Sequence, residues 1–507
     1  GIRRGAGLPV RPLAPLPSIK DGQIFPVIIS NFCNDFGYSW NLFYSPLTAY
    51  IPLIFRIFNL SFDMCLKIFI LFISFFTGLS MYFYIMKITK KQNVAILAAI
   101  LYVLVPYRLN DMYFRMAIPE LVTFIFIPMI FNGLYTIIKL KKKTYLLVLG
   151  ASLLVLTHSM ITIYIAILCI IYLICNFKDL KKNTILMLFK DAIFILLITS
   201  FYTLPLLESK LSADYEVFNQ EHMVRYDAMI ALKPKIGELF IQLDGRMLYG
   251  LGIIVIVGTV FSIIAIKKVK DKKNLILFLV LGIICTIMAL DIFPFEKMPK
   301  ILTMMQFSFR MLEFASFFLV VVSAITLEKV IDKFNIYTVI FLTSMSILLL
   351  LPSLSQLEYG KYYNENDLKE GIKVTKNTGR VHAGLASFEY LPTKAFKNRS
   401  YIENRENKPI ILQDNSDDYT IENYYKENTN CEFEIKMLEE KEDSEVITIE
   451  LPYIYYIGYS AYIESENGNN EMLTTYESEN GFLCIDVNLN TKASKIKVEY
   501  TGTLLMK

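Results

Sequence analysis

The chain has 507 residues, 54% of them hydrophobic, with 51 Lys and Arg against 47 Asp and Glu. A soluble domain carries roughly 45–50% apolar residues; here the excess falls in blocks before residue 352, so two regions meet two different solvents. The net charge of +4 is small and its lysines lie between apolar blocks, not on one basic face, which argues against nucleic acid as a partner.

In chain order, Gly1–Pro17 (GIRRGAGLPVRPLAPLP) is rich in Arg, Pro and Leu, unlike the Ile-, Lys-, Asn- and Phe-rich remainder of the chain. It has no apolar core long enough for a signal peptide or a span and reads as an atypical, foreign or truncated start. Residues 18–60 then form a first external loop, in which Pro46–Phe58 is a juxtamembrane or re-entrant helix interrupted by Pro52 and Arg56. A helix crossing the hydrocarbon needs about 20 apolar residues. Ten blocks approach that: Ser61–Met86, Asn93–Tyr107, Ile118–Ile138, Thr144–Thr157, Met160–Cys175, Thr184–Leu207, Leu248–Ile266, Asn274–Ile292, Phe309–Leu327 and Ile336–Pro352. Lysines gather in alternate connections: at 87–91, 139–143, 178–182, 267–273 and 329–333. Those connections are expected in the cytoplasm, and the intervening ones outside, together with everything after Pro352. Both flanks of the run Thr144–Cys175 are lysine-rich, so it must cross twice, with His158 near the outer turn. The same parity leaves residues 18–60 outside, and an upstream helix crossing from the cytoplasm would complete the topology.

After Pro352 the period changes. Ile447–Ile457, Phe482–Leu489 and Lys495–Thr501 alternate as strands, with turn signals at Glu466–Asn470 and Asn480–Gly481. Residues 353–507 are expected to be an extracytoplasmic, sandwich-like β domain, with 358–430 a polar and aromatic linker packing on the sheet. Of the seven cysteines, Cys431 and Cys484 lie in this region, which leaves a disulfide open if that side is oxidising. The fold class is therefore an α-helical polytopic membrane protein of about ten transmembrane helices (residues 61–352) with a C-terminal β-rich domain.

Ionisable groups near membrane spans are costly and mark function. The segment YRLNDMYFRMAIPE places Arg108, Asp111, Arg115 and Glu120 in one external loop and the start of the next helix. His158, Glu208, Asp291, Gln306, Arg310 and Glu313 fall at other outer helix ends. Arginine suits a phosphate through paired N–H contacts. A carboxylate such as Asp111 or Glu120 can act as general base on an acceptor hydroxyl or hold a divalent metal. Singly, such residues more often anchor to headgroups or to one another; four charges in one short loop exceed what anchoring needs. No cofactor motif is present: there is no Gly-rich phosphate loop, no G-x-S-x-G and no C-x-x-C, and His158, His222 and His382 are too scattered for a zinc motif.

Several stretches together resemble the bacterial membrane family related by name to 6-pyruvoyl-tetrahydropterin synthase, close to the YfhO-like proteins and similar to GT-C glycosyltransferases. They are Asp21–Pro52, Pro106–Glu120, LTHSM at Leu156–Met160, LPLLES at Leu204–Ser209, MQFSFRML at Met305–Leu312, EYLP at Glu389–Pro392 and PYIYYIGYSAYI at Pro452–Ile463. The soluble synthase of that name uses a three-histidine zinc site that nothing here supplies. The resemblance implies a GT-C-like transmembrane core in a multi-pass cell-membrane protein, taking a sugar from a polyprenyl-phosphate donor at the outer leaflet. It also implies a catalytic acid in the first external loop, where Asp21 and Asp35 are imperfect stand-ins. On this resemblance Arg108 and Arg115 would contact donor phosphate, Asp111 or Glu120 would orient them, and Arg310 with His158, Glu208 and Gln306 would line the cavity. The β domain would hold an envelope glycan acceptor. The rivals are a non-enzymatic scaffold of envelope assembly and, third, a lipid or glycan transporter.

Overall fold

A computed structural model describes residues 27–30, 32–44, 46–219, 232–240, 248–299, 305–355, 388–413, 418–438, 446–464, 470–488 and 493–506. The chain divides into a helical unit (residues 51–199 and 223–362) and a β unit (residues 1–50, 200–222 and 363–507).

The helices are α1 Leu47–Ile54, α2 Phe62–Thr89, α3 Gln92–Val103, α4 Pro106–Tyr113, α5 Ile118–Ile138, α6 Leu146–Val155, α7 Ser159–Cys175, α8 Lys182–Ser212, α9 Ile253–Ala265, α10 Lys272–Ala289, α11 Met311–Val330 and α12 Ile336–Ser355. Every one of the ten apolar blocks is thus helical. Among the described residues, six helices are long and apolar enough to cross a membrane: those at Met64–Thr89, Ile118–Ile138, Lys182–Ser212, Lys272–Ala289, Ser308–Val330 and Ile336–Leu354. A seventh crossing is available if α3 and α4, bent by 43° at their junction, act as one span, while α6 and α7 are shorter apolar helices. The sequence expectation of ten blocks met helices of unequal length.

Burial sorts the helices. In α5 and α11 more than four fifths of the apolar window is inside the protein, whereas α8 is 11% buried and α12 22%. The first two form the centre of the bundle, and the others present Leu, Ile and Phe to the surroundings, as lipid-facing helices do. Small residues permit the close approaches: Gly133 of α5 faces the backbone of Leu147, and Gly258 of α9 faces Ser323 of α11.

The β unit holds two antiparallel sheets, β1-β4-β8-β7 and β2-β3-β9-β5-β6. Their strands are β1 Ile410–Ile411, β2 Tyr419–Glu427, β3 Asn430–Met437, β4 Val446–Ile454, β5 Tyr459–Glu464, β6 Glu471–Leu473, β7 Thr475–Glu477, β8 Phe482–Asn488 and β9 Ala493–Tyr500. The three strands legible in the sequence are β4, β8 and β9. The stretch taken as a linker contributes β1 and β2 as well as two short helices at Thr393–Lys397 and Arg399–Asn404. Residues 27–44, expected as part of an external loop, belong to this unit. Ile454 donates to the carbonyl of Phe36 at 3.0 Å, and Trp40, Phe43 and Tyr390 pack ring against ring. Cys431 and Cys484 are buried free thiols on different sheets, so no disulfide joins them.

Candidate functional site

The site is built at the α4–α5 corner. Val105 precedes a proline, which disfavours helical backbone; it is extended (φ −54°, ψ 125°) and ends α3, while Pro106 opens α4 at a position that needs no N–H. The corner after α4 is tight. Arg115 donates its backbone N–H to Asn110 and Ala117 to Asp111, with Met116 at φ 48°. This reversal carries the Arg115 side chain back over α4 and sets Glu120 in the first turn of α5, where the helix dipole favours a carboxylate.

Four charged side chains then meet. Arg115 Nη1 lies 2.5 Å from Asp111 Oδ1 and 2.9 Å from Glu120 Oε2. Arg310, which leads into α11, places Nε 3.1 Å from the same Glu120 oxygen. Tyr107 donates its hydroxyl to the other, Oε1. Arg310 Nη1 also donates to the Met305 carbonyl at 2.9 Å and to Gln306 Oε1 at 3.0 Å. Phe309 lies 4.8 Å from the Arg115 guanidinium and Phe307 5.4 Å from that of Arg310. Asp111 and Glu120 are fully buried, and Arg115 and Arg310 are about nine-tenths so. Among the described residues, Arg115 reaches its partners through Nη1 alone, and Arg310 through Nε and Nη1. Each guanidinium therefore keeps N–H groups that a planar oxyanion could engage.

Below this group, Glu313 sits in the first turn of α11 and Thr123 one turn into α5, both fully buried. Thr123 Oγ1 contacts the Glu120 carbonyl at 2.5 Å and Glu313 Oε1. Among the described residues, Asp111 Oδ2 and Glu313 Oε2 are buried without a hydrogen-bond partner.

The sequence candidates divide. Asp111, Arg115, Glu120, Gln306 and Arg310 are brought together. His158 caps α7, its Nδ1 accepting from Ile161 N at 3.4 Å, and stands within electrostatic reach of Glu120, Arg115 and Arg310. Arg108 turns elsewhere: it donates to the Val103 carbonyl at 3.1 Å and to Ser74 Oγ of α2 at 3.0 Å, closing carbonyls left open by the α3–α4 break. Glu208 and Asp35 belong to the β unit. Glu208 accepts the backbone N–H groups of Leu504 and Leu505, each at 3.1 Å. Asp35 is an exposed residue at φ 63°, following Cys33 and Asn34, which are also left-handed, and its carbonyl accepts from Lys426 at 2.6 Å. His222, His382 and Asp21 lie outside the described residues. Tyr107 and Thr123 were missed; their only sequence signal is a polar atom one helical turn from a charged one. Among the described residues, no group of three or more His, Cys, Asp and Glu side chains could hold a metal ion.

On the other flank of α4 lies a small pocket, lined by Leu101, Leu104, Pro106, Gly250, Ile254 and Leu350 together with the polar Glu238, Ser346 and Ser353. Residues 248–250 are fixed to α4 by Leu248 N donating to Asn110 Oδ1 (3.1 Å) and Tyr107 N to the Gly250 carbonyl (3.0 Å).

Comparison with known proteins agrees with the membrane character. The profile of a family described as "6-pyruvoyl-tetrahydropterin synthase related domain; membrane protein" matches residues 42–359. An uncharacterised protein of Lactococcus lactis subsp. cremoris is 25% identical over 309 residues, 56% of this chain and 49% of its own length. The chain thus spans about half the length of the curated relative it matches. No solved structure matches. The chain belongs to the 6-pyruvoyl-tetrahydropterin synthase related family of membrane proteins.

Proposed function

We propose that this member of the family is a multi-pass protein of the cell membrane that handles a polyprenyl-phosphate sugar at the outer leaflet and takes part in its transfer to a cell-envelope glycan or lipid. The observation that carries the reading is the Arg115–Glu120–Arg310 arrangement: two buried guanidinium groups converge on one carboxylate oxygen and, among the described residues, keep further N–H groups uncommitted. A donor phosphate would take the place of Glu120 between them. The apolar side chains beside the site, such as Leu101, Leu104, Ile254 and Leu350, would meet an isoprenoid chain. Asp111 or Glu120, released from its arginine, would be the group to accept a proton from an acceptor hydroxyl.

The topology belongs to the same proposal. Ten passes, with the lysine-rich connections inside, put the Arg115 corner and the β unit outside the cytoplasm. In that position the β unit would hold the acceptor.

One observation favours a second reading, a non-enzymatic scaffold of envelope assembly. Both acids that would do chemistry are already ion-paired, as in a structural network.

Cells lacking the gene, complemented with wild type or with Arg115→Ala, separate the two. Under the transfer reading, mass spectrometry of envelope glycans finds a sugar lost in the deletion, restored by wild type and absent with a normally inserted Arg115→Ala protein. Full restoration by Arg115→Ala would sink the assignment, and unchanged glycans in every strain would favour the scaffold.

A further inference from the structure

Below the arginines one hydroxyl hydrogen faces two oxygens. Thr123 has one hydroxyl hydrogen and two oxygen neighbours, the Glu120 backbone carbonyl at 2.5 Å and Glu313 Oε1. A carbonyl only accepts. If the hydroxyl donates to that carbonyl, the second contact needs a hydrogen that Glu313 itself carries.

The ion pairing points the same way. The titratable groups on the elements packed around α11 are Tyr84 from α2, Tyr102 from α3, Arg108 and Asp111 from α4, Glu120 from α5, Tyr164 from α7, and Arg310 at the start of α11 itself. His158 stands just beyond, by Glu120. The sequence of α9 contains no titratable side chain, and α10 offers only Cys285 beyond its first-turn lysines. Arg115 and Arg310 pair with Asp111 and Glu120, Arg108 is directed to Val103 and Ser74, and among the described residues no arginine pairs with Glu313. A buried carboxylate without such a partner is far more costly than a neutral acid. Glu313 Oε2, fully buried and without a partner, is acceptable on a neutral acid and very costly on a carboxylate.

We propose that Glu313 is a proton-binding site of the helical unit, a carboxylic acid at neutral pH that donates to Thr123 Oγ1. A consequence rests on the proposed binding of a phosphate at the arginines. While Glu313 keeps its proton, it adds no negative charge beside the arginines and an oxyanion can approach them. Loss of the proton leaves a negative charge beside that site and weakens anion binding.

The test uses the full chain in nanodiscs. Infrared spectra of wild type and Glu313→Gln, in H2O and D2O at neutral pH, should show the carbonyl stretch of a protonated carboxylic acid in the first and not the second. Glutamine preserves shape and neutrality, so the variant should unfold at the wild-type temperature. Thr123→Val provides a second handle and should shift the band by removing its partner. No protonated-acid band in wild type, or a band unchanged in Glu313→Gln, overturns the proposal. Inorganic sulfate, which does not titrate in this range, reports the consequence. Its affinity for wild type should fall on the order of tenfold as Glu313 is deprotonated, and stay level in Glu313→Gln. A Glu313 band together with no sulfate binding at any pH would uphold the proton site and overturn the anion reading instead.

Discussion

Each unit buries arginine against glutamate, and the two pairings differ in completeness. In the β unit, Arg405 uses all three nitrogens: Nε to Glu450 Oε1 at 2.9 Å, Nη1 to the Glu406 carbonyl at 2.8 Å and Nη2 to the Glu450 carbonyl at 3.0 Å. Tyr401 adds a hydrogen bond to Glu450 Oε1, and Phe36 and Phe482 flank the guanidinium. In the helical unit, among the described residues, Arg115 reaches its partners through one nitrogen and Glu313 has no arginine partner. Buried charge is therefore a poor sign of function by itself. What separates a site from a strut is whether the donors are used up.

The comparison can be tested through stability. Arg405→Ala leaves Glu450 buried and unpaired, and should cost about 3–5 kcal/mol. The chain has a single tryptophan, Trp40, buried in the β unit, so its fluorescence during denaturation reports this unit. Arg405→Met with Glu450→Leu should regain most of the loss; failure to do so would make the pair more than a filled slot in the core. Gly133→Ala should cost the helical unit about 1–3 kcal/mol, because the added carbon would meet the Leu147 backbone at 2.6–2.8 Å. Thermal unfolding followed by helical circular dichroism would check it, and an unshifted midpoint would mean that α5 and α6 separate without penalty.

The smallest effect concerns pH. Lys426 donates to the carbonyls of Asp35 and Pro452 and to Asn407 Oδ1, while burial lowers its pKa to about 7 from the usual 10.5. Between those values the unfolded chain holds the proton and the folded one does not, so stability should rise with pH from about 7 towards 10.5. Lys426→Met should flatten that slope in the Trp40 signal. A slope equal to wild type would assign it to other groups.

The sequence was most legible where the solvent is least forgiving. A helix in lipid must be apolar along its length, so the apolar blocks could be read as helices, though among the described residues only six, or seven with the bent α3–α4 pair, are long and apolar enough to cross. It was less legible at α4, which is polar yet buried because the corner at Met116 folds charge onto charge. Strands β4, β8 and β9 alternate; β2 does not, since its register shifts between Glu422 and Tyr425. The union of residues 27–44 with strands some 400 residues later leaves no local period to read. At the site, Arg115, Asp111 and Glu120 were visible as a cluster of charge. Arg108, three residues from Asp111, could not be told apart from them, because its direction is set by a carbonyl at Val103 and a serine in α2.

That distant union has a consequence for synthesis. The Phe36 carbonyl receives its hydrogen from Ile454, and the Asp35 carbonyl from Lys426. Translation at about 5–20 residues per second separates such partners by tens of seconds. The strained left-handed turn at Cys33–Asp35 cannot be held until β2 and β4 emerge. The β unit is thus the last part of the chain to fold, and its first strip leaves the ribosome before any of the ten apolar blocks. For all that time Trp40, Phe43 and their neighbours lack the core that finally covers them.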